Sequence, residues 1–206
     1  MKYNDKVILT DCDGVILNWE YAFCCWLEQR GYTQIENGNR EYSIATRFGI
    51  TQDQAWQQVK IFNTSAAMGF LPALRDAMYY VKRLHEEHGY VFRCITSMST
   101  DSNAKKLRQM NLEKLFGKTA FEELVCLDTG AAKDDALAPY KDSGLWWIED
   151  KMENAVAGLN AGLRPILIEH GFNMNDTVPP GITKVVNWKE IYQLVTNPYS
   201  DIIIKG

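Results

Sequence analysis

The chain has 206 residues, with 46% hydrophobic and 23% charged, the balance of an ordinary globular protein of one domain or one domain plus a modest insertion. Its net charge of −4 argues against a surface built to attract nucleic acid or an anionic membrane. No apolar run approaches the ~18 residues that span a bilayer, Met1 to Asp5 lack the basic and apolar regions of a secretion signal, and the five cysteines are irregularly spaced, so they read as reduced thiols of a cytoplasmic protein.

The first element is a short buried strand over Lys6 to Thr10, continuous and β-branched. It runs into Asp11-Cys12-Asp13-Gly14, two carboxylates one residue apart followed by a glycine. In open α/β sheets ligands collect beyond the carboxyl ends of the strands. Two acids there raise each other's pKa and need a cation or a reaction to justify them. Helical spacing follows over Asn18 to Arg30, stopped by Gly31. A polar loop over Gly31 to Glu41 leads to a short helix over Tyr42 to Phe48, and Thr51 caps a helix over Gln52 to Phe62 with Gln54 completing the capping box. No strand pattern occurs between Asn18 and Leu71, so residues 18–71 are expected to be a helical insertion.

The α/β pattern then resumes. Pro72 opens a helix to His88, ended by Gly89. Strands are expected over Tyr90 to Ile95, Leu124 to Leu127, Leu145 to Ile148, Pro165 to Ile168 and Thr183 to Val186. Helices alternate with them from Asp101 or Ser102 to Met110, over Asp134 to Tyr140, Asn154 to Leu163 and Trp188 to Val195. The alternation implies an α/β fold, a Rossmann-like parallel sheet of five to six strands flanked by helices. The core is expected over 1–17 and 72–206. The apolar tail Asp201 to Ile204 is expected to dock on it.

Three further segments carry polar chemistry. The strand ending at Ile95 delivers the hydroxyls of Thr96 and Ser97, suited to phosphoryl oxygens. Lys133 lies in a small-residue loop before a helix, where it would neutralise a nucleophile and a phosphate together. The strand ending at Ile148 delivers Glu149 and Asp150. Each has an ordinary reading: a strand-end cap for Thr96, a loop hydrogen bond for Ser97, a solvated lysine for Lys133 with Lys141 as fallback, a helix N-cap for Glu149. His85 and His88 do not have zinc-protease spacing and read as a polar helix face. A calcium-loop reading fails, because the positions that need acids hold Val15 and Ala22.

Taken in order, Asp11-x-Asp13-Gly14, Thr96, Lys133 and Glu149-Asp150 resemble the four motifs of the haloacid dehalogenase-like phosphohydrolases, over most of the chain. The resemblance implies Asp11 as nucleophile, Asp13 as general acid/base, and Thr96 and Lys133 as stabilisers of phosphate and intermediate. It also implies Mg²⁺ held by Asp11, the carbonyl of Asp13 and Asp150, with Glu149 assisting the metal. Many members place an acid four residues after the Asp150 position, where this chain has Asn154. An acid at Asp13 distinguishes phosphatases and phosphomutases from the dehalogenases and transport ATPases of that superfamily.

Far more chain separates Asp13 from Thr96 than a strand–helix–strand unit needs, so residues 18–71 fall where the superfamily carries its caps. A cap closes over the site and excludes water. Trp19, nearest the first motif, is the first choice for substrate contact. Gly69-Phe70-Leu71-Pro72 before the long helix, with Ile95-Thr96-Ser97, resembles the 5′(3′)-deoxyribonucleotidase branch. The expected activity is therefore a Mg²⁺-dependent phosphomonoesterase acting on a small phosphate ester, with a nucleoside monophosphate leading. Nucleic acid and membrane partners are not expected. The alternatives are a phosphomutase or phosphotransferase with the same residues, and a non-catalytic phosphate- or partner-binding protein.

Overall fold

A computed structural model describes residues 6–197. Six strands form one parallel sheet in the order β3-β2-β1-β4-β5-β6, with β1 Val7–Thr10, β2 Val91–Thr96, β3 Phe121–Cys126, β4 Trp146–Glu149, β5 Arg164–Ile168 and β6 Thr183–Val185. The order steps outward one way from β1 through β2 to β3 and the other way from β4 to β6. This is the doubly wound arrangement, whose switch point lies between β1 and β4. Strand β1 pairs with both β2 and β4, Thr10 lying beside Cys94 and Ile148. The residues just past the ends of β1, β2 and β4 therefore emerge together at one edge of the sheet.

Strands β1 and β4 are buried at every position, which is why they read as apolar runs rather than alternations. Helices cover both faces. Helix α7 (Met152–Asn160) packs on β4 through Gly158, where an added Cβ would collide with the Trp147 indole. Helix α8 (Trp188–Thr196) buries Trp188 completely, and its Nε1–H donates to the carbonyl of Val15 at 2.8 Å, which ties the last helix to the turn after β1.

Residues 18–71 hold three helices and two short 3₁₀ turns. Asn18 caps α1 (Trp19–Glu28) through the amide of Tyr21, and Ser43 caps α2 (Ile44–Phe48). Helix α3 (Gln52–Asn63) opens on a complete Thr51/Gln54 capping box. Phe23, Trp26 and Phe62 form the aromatic core of this segment, with centroids 5.2 to 6.0 Å apart. The segment leaves and rejoins the core side by side: Asn18 N–H donates to the Pro72 carbonyl at 2.8 Å, and Leu17 bridges Ala73.

Several boundaries differ from expectation. Pro72 does not open a helix; the pairing with Leu17 and Asn18 holds residues 72–73 extended, Arg75 takes a left-handed φ of 42°, and α4 is Ala77–His88. Helix α5 (Ser102–Phe116) runs past Met110 to Phe116 and buries Leu112 and Phe116. Strand β3 starts at Phe121. The short α6 is Asp134–Leu137, followed by a 3₁₀ turn at Ala138–Tyr140. Helix α7 begins at Met152 instead of Asn154. The expected docking of residues 201–204 lies outside the described residues.

Candidate active site

The ends of β1, β2 and β4 and the loop before α6 line one cavity of about 680 Å³. Asp11, Asp13, Thr96, Ser97, Lys133 and Asp150 border it from the sheet side, and Trp19, Tyr42, Ile44, Trp56 and Val59 from the helical segment. The cavity thus lies between the sheet edge and residues 18–71, as expected where a small ligand is enclosed.

Asp11 continues β1, its N–H donating to Ile148 at 2.8 Å, so its carboxylate leaves the sheet at a fixed angle. Its Oδ1 accepts the Cys12 amide at 2.6 Å. Its Oδ2 faces the Lys133 ammonium at 2.7 Å. That ammonium is 1% exposed and also reaches Glu149 Oε1 at 2.6 Å. Lys133 is therefore a buried cation shared between two carboxylates, which hold its pKa above the usual value against the pull of burial.

Glu149 is fully buried and fully used. Oε1 accepts Lys133 and the Asn154 amide at 2.8 Å, and Oε2 accepts the amides of Asp150 and Lys151, each at 2.8 Å. Burial pushes its carboxyl up, but Lys133 and the donated hydrogen bonds outweigh it and hold the group below its usual value. Asp150 differs. Burial, then the charges of Glu149 and Asp11, push it well above the carboxylate range. Burial likewise pushes Asp11 up to about 7 against the attraction of Lys133.

Asp11, Glu149 and Asp150 each offer an oxygen within 4.8 Å of the others. All three are hard oxygens, the donor type for Mg²⁺. Glu149, already accepting Lys133, Asn154 and two backbone amides, adds its charge to the cluster from behind and does not ligate directly as the sequence resemblance implied. The Asp150 carboxylate lies so close to Gly14, φ 76°, that any Cβ there would collide with it. Lys133 cannot offset Asp11, Glu149 and Asp150 alone, so the donor set is short of positive charge and fits a divalent cation.

Thr96 is 1% exposed and lines the cavity, and its hydroxyl makes no hydrogen bond to the described residues, which leaves it open to a ligand oxygen. Ser97 Oγ–H is committed to the Ala131 carbonyl at 2.8 Å, bracing the Lys133 loop. Trp19 Nε1–H donates to Asn63 at 2.9 Å while its ring stacks on Phe23 at 4.6 Å, so it is part packing and part cavity wall. The histidines expected on a polar helix face are satisfied locally, His85 by Tyr90 and Thr119 and His88 by Tyr192.

Three supporting residues escaped the sequence reading. Arg108 on α5 grips the Asp13 carboxylate with both terminal nitrogens, Nη2 to Oδ2 at 3.1 Å and Nη1 to Oδ1. Its signal was present: Ala104, Arg108, Asn111 and Leu112 are buried at helical spacing, which puts an arginine on the inner face of α5. His170 Nε2–H donates to the Gly14 carbonyl at 2.7 Å, and Asn173 Nδ2 donates to the Asp150 carbonyl at 2.8 Å. Both sit in a loop after β5 that has no motif of its own.

No family model matches the chain. An uncharacterised 32.4 kDa protein from the Gp30-rIII intergenic region of Enterobacteria phage T4 is 22% identical over 199 residues, 93% of this chain and 70% of that protein. Among solved structures, a haloacid dehalogenase-like hydrolase from Streptococcus pneumoniae matches with a TM-score of 0.59 at 15% identity, over 90% of this chain and 96% of that one. D,D-heptose 1,7-bisphosphate phosphatase from B. bronchiseptica, in complex with magnesium and phosphate, matches at 0.59 and 13% over 92% and 97%. A dehalogenase with an intermediate complex matches at 0.63 and 12% over 93% and 97%. The chain has the haloacid dehalogenase-like fold.

Proposed function

We propose that the protein is a Mg²⁺-dependent phosphomonoesterase of the haloacid dehalogenase-like superfamily, acting on a small phosphate ester through an aspartyl-phosphate intermediate. The observation that carries this reading is the buried Lys133 ammonium 2.7 Å from Asp11, with Asp150 in the same acidic cluster and Thr96 on the same cavity. A carboxylate nucleophile must be ionised beside an anionic substrate, and a lysine held between it and a second acid is a means of keeping it so.

In this reading Asp11 attacks phosphorus, forming a new P–O bond as the ester oxygen leaves with a proton from Asp13. Water then attacks the phosphoryl group, giving its proton to Asp13, and Asp11 is released. Lys133 offsets charge on Asp11 and on the phosphoryl oxygens, and Thr96 donates to one of those oxygens. Asp11, Asp150 and the carbonyl of Asp13 would hold the cation, with Glu149 bracing Lys133 from behind. When bound, the cation supplies charge neutralisation between nucleophile and substrate.

Residues 18–71 act as the cap over a core of 1–17 and 72–206. Trp56 rests on Gly130, where an added Cβ would lie 3.0 Å from the indole, and Asn63 Nδ2 donates to the Met98 carbonyl at 2.9 Å. Trp19, Tyr42 and Trp56 give the cavity aromatic walls that suit a nucleobase, so a nucleoside monophosphate is the proposed substrate class.

The test is a panel of phosphate esters, nucleoside monophosphates included, assayed for released phosphate with Mg²⁺, with Asp11→Asn alongside. Activity in the wild type that vanishes in the variant supports the reading. No phosphate from any ester, or an indistinguishable variant, defeats it. Transfer to added sugar alcohols in preference to water would assign a phosphotransferase.

A further inference from the structure

Among the described residues, Arg108 is a fully buried charge beside the cavity that the catalytic scheme does not use. Its side chain is 0% exposed and its Nε is buried without a hydrogen-bond partner. A buried ion pair is an expensive fastening, since desolvation offsets much of its attraction and apolar packing serves as well. Helix α5 is already fastened by other means: Leu107 lies against Gly69, and Asn111 Nδ2 donates to the Leu71 carbonyl at 3.0 Å. An arginine placed here at this cost is explained by a role that apolar residues cannot fill.

We propose that Arg108 is the positioning residue for Asp13, fixing the plane of its carboxyl group so that the oxygen position left open by the guanidinium, which carries the transferred proton as O–H, faces the substrate's leaving oxygen. This rests on the phosphatase reading. A carboxylate has about four lone-pair sites. The guanidinium fork occupies one on each oxygen and leaves the others open, and the Asp13 side chain is 21% exposed on the cavity. The fork is itself held, Nη1 donating to Cys12 Sγ at 3.1 Å and Nη2 to Met68 Sδ at 3.9 Å. A bidentate planar donor locks a carboxylate in a way that a lysine, a single point charge, cannot. The chain of contacts runs from Met68, where the helical segment rejoins the core, through Arg108 to Asp13.

The experiment compares kcat/KM with Mg²⁺ for p-nitrophenyl phosphate, whose leaving group departs without a proton, and for the best alkyl phosphate of the ester panel, whose leaving group needs one. It uses wild type, Asp13→Asn, Arg108→Gln, Arg108→Lys and the Asp13→Asn/Arg108→Gln double variant. kcat/KM senses the step in which the leaving group is protonated, and general acid catalysis contributes about 10²- to 10⁴-fold. Arg108→Gln is expected to lose about 10²-fold or more on the alkyl ester and roughly tenfold less than that on the aryl ester. The double variant should be no worse than Asp13→Asn alone. Equal losses on both esters, or additive losses in the double variant, overturn the proposal. If thermal unfolding shows Arg108→Gln unfolded, Arg108→Lys carries the test: the same split supports positioning, and wild-type rates on both esters refute it. A wild type that hydrolyses neither ester fails the phosphatase reading and takes this role with it; an active wild type without the split fails only Arg108.

Discussion

Lys133 is the residue on which the electrostatics of the site turn. It lies between Asp11 at 2.7 Å and Glu149 at 2.6 Å with almost no exposure. Removing one member of such a buried pair strands the other charge, at about 3–5 kcal/mol. Lys133→Met is therefore expected to lower the unfolding free energy by about that amount in a denaturant titration, and to reduce kcat/KM by ~10²-fold or more, the loss seen when a preorganised donor is removed. A Lys133→Met protein as stable as wild type would refute the buried pairing. The site was legible in the sequence as far as strand ends reach. Asp11, Thr96 and Asp150 stand at or just past the carboxyl ends of β1, β2 and β4, and parallel strands that are neighbours in a sheet present those ends along one edge. Lys133 comes from a loop and Arg108 and His170 from a helix and a second loop, where a lone basic residue is more often solvated. Lys133 was marked by its small-residue loop and Arg108 only by the helical spacing of α5, while His170 carried no mark; the packing shows all three buried.

Among the elements, α3 and the loop before α6 meet at the rim of the cavity. Trp56 on α3 lies against Gly130, whose φ of 74° and crowded Cβ position exclude a side chain. If Trp56 forms a wall of the substrate pocket, Trp56→Ala should raise KM for a nucleoside monophosphate by ~10-fold, the scale of one lost stacking contact, and raise that for p-nitrophenyl phosphate less. Equal KM shifts for both esters would remove Trp56 from the wall. Gly130→Val should show the same pattern by displacing the indole from the opposite side. Helix α1 was readable from its apolar spacing and α3 from its local Thr51 cap, and the structure adds Asn18 and Ser43 as caps of α1 and α2, each accepting an amide of its own first turn. The start of α4 was not readable, because Pro72 is a good helix opener taken by a long-range pairing. Asn18 and Leu17 hold residues 72–73, so tertiary contact overrides the local preference.

At the scale of the whole molecule, two groups make stability respond to solution conditions. The acids Asp11, Glu149 and Asp150 are stabilised by anything that binds the folded state and supplies positive charge, so Mg²⁺ should raise the unfolding temperature with a logarithmic dependence on concentration. Asp150→Asn should abolish that rise, and a rise undiminished in the variant would place the cation elsewhere. His170 gives the second response. Its ring is 8% exposed, stacked on Phe172 at 5.3 Å, and holds the turn after β1 through the Gly14 carbonyl. Burial lowers its pKa below 6.5, the Gly14 hydrogen bond raises it, Arg75 and Arg47 lower it and Glu20 raises it, with burial winning. The unfolded chain therefore binds a proton at this histidine more tightly than the folded one. Between the lowered folded value and 6.5, the unfolded state carries more protons, and stability rises with pH. Above that window both forms are neutral and below it both are charged, so neither limb has a slope from this residue. The raised Asp11 and Asp150 act in the opposite sense, but they are common to wild type and variant. The difference in unfolding free energy between wild type and His170→Gln should accordingly shrink as the solution is acidified below pH ~6.5. Denaturant titrations at several pH values measure it. A difference that does not change with pH would mean that His170 titrates alike in the folded and unfolded chain, and that its burial against Phe172 and Gly14 does not persist in solution.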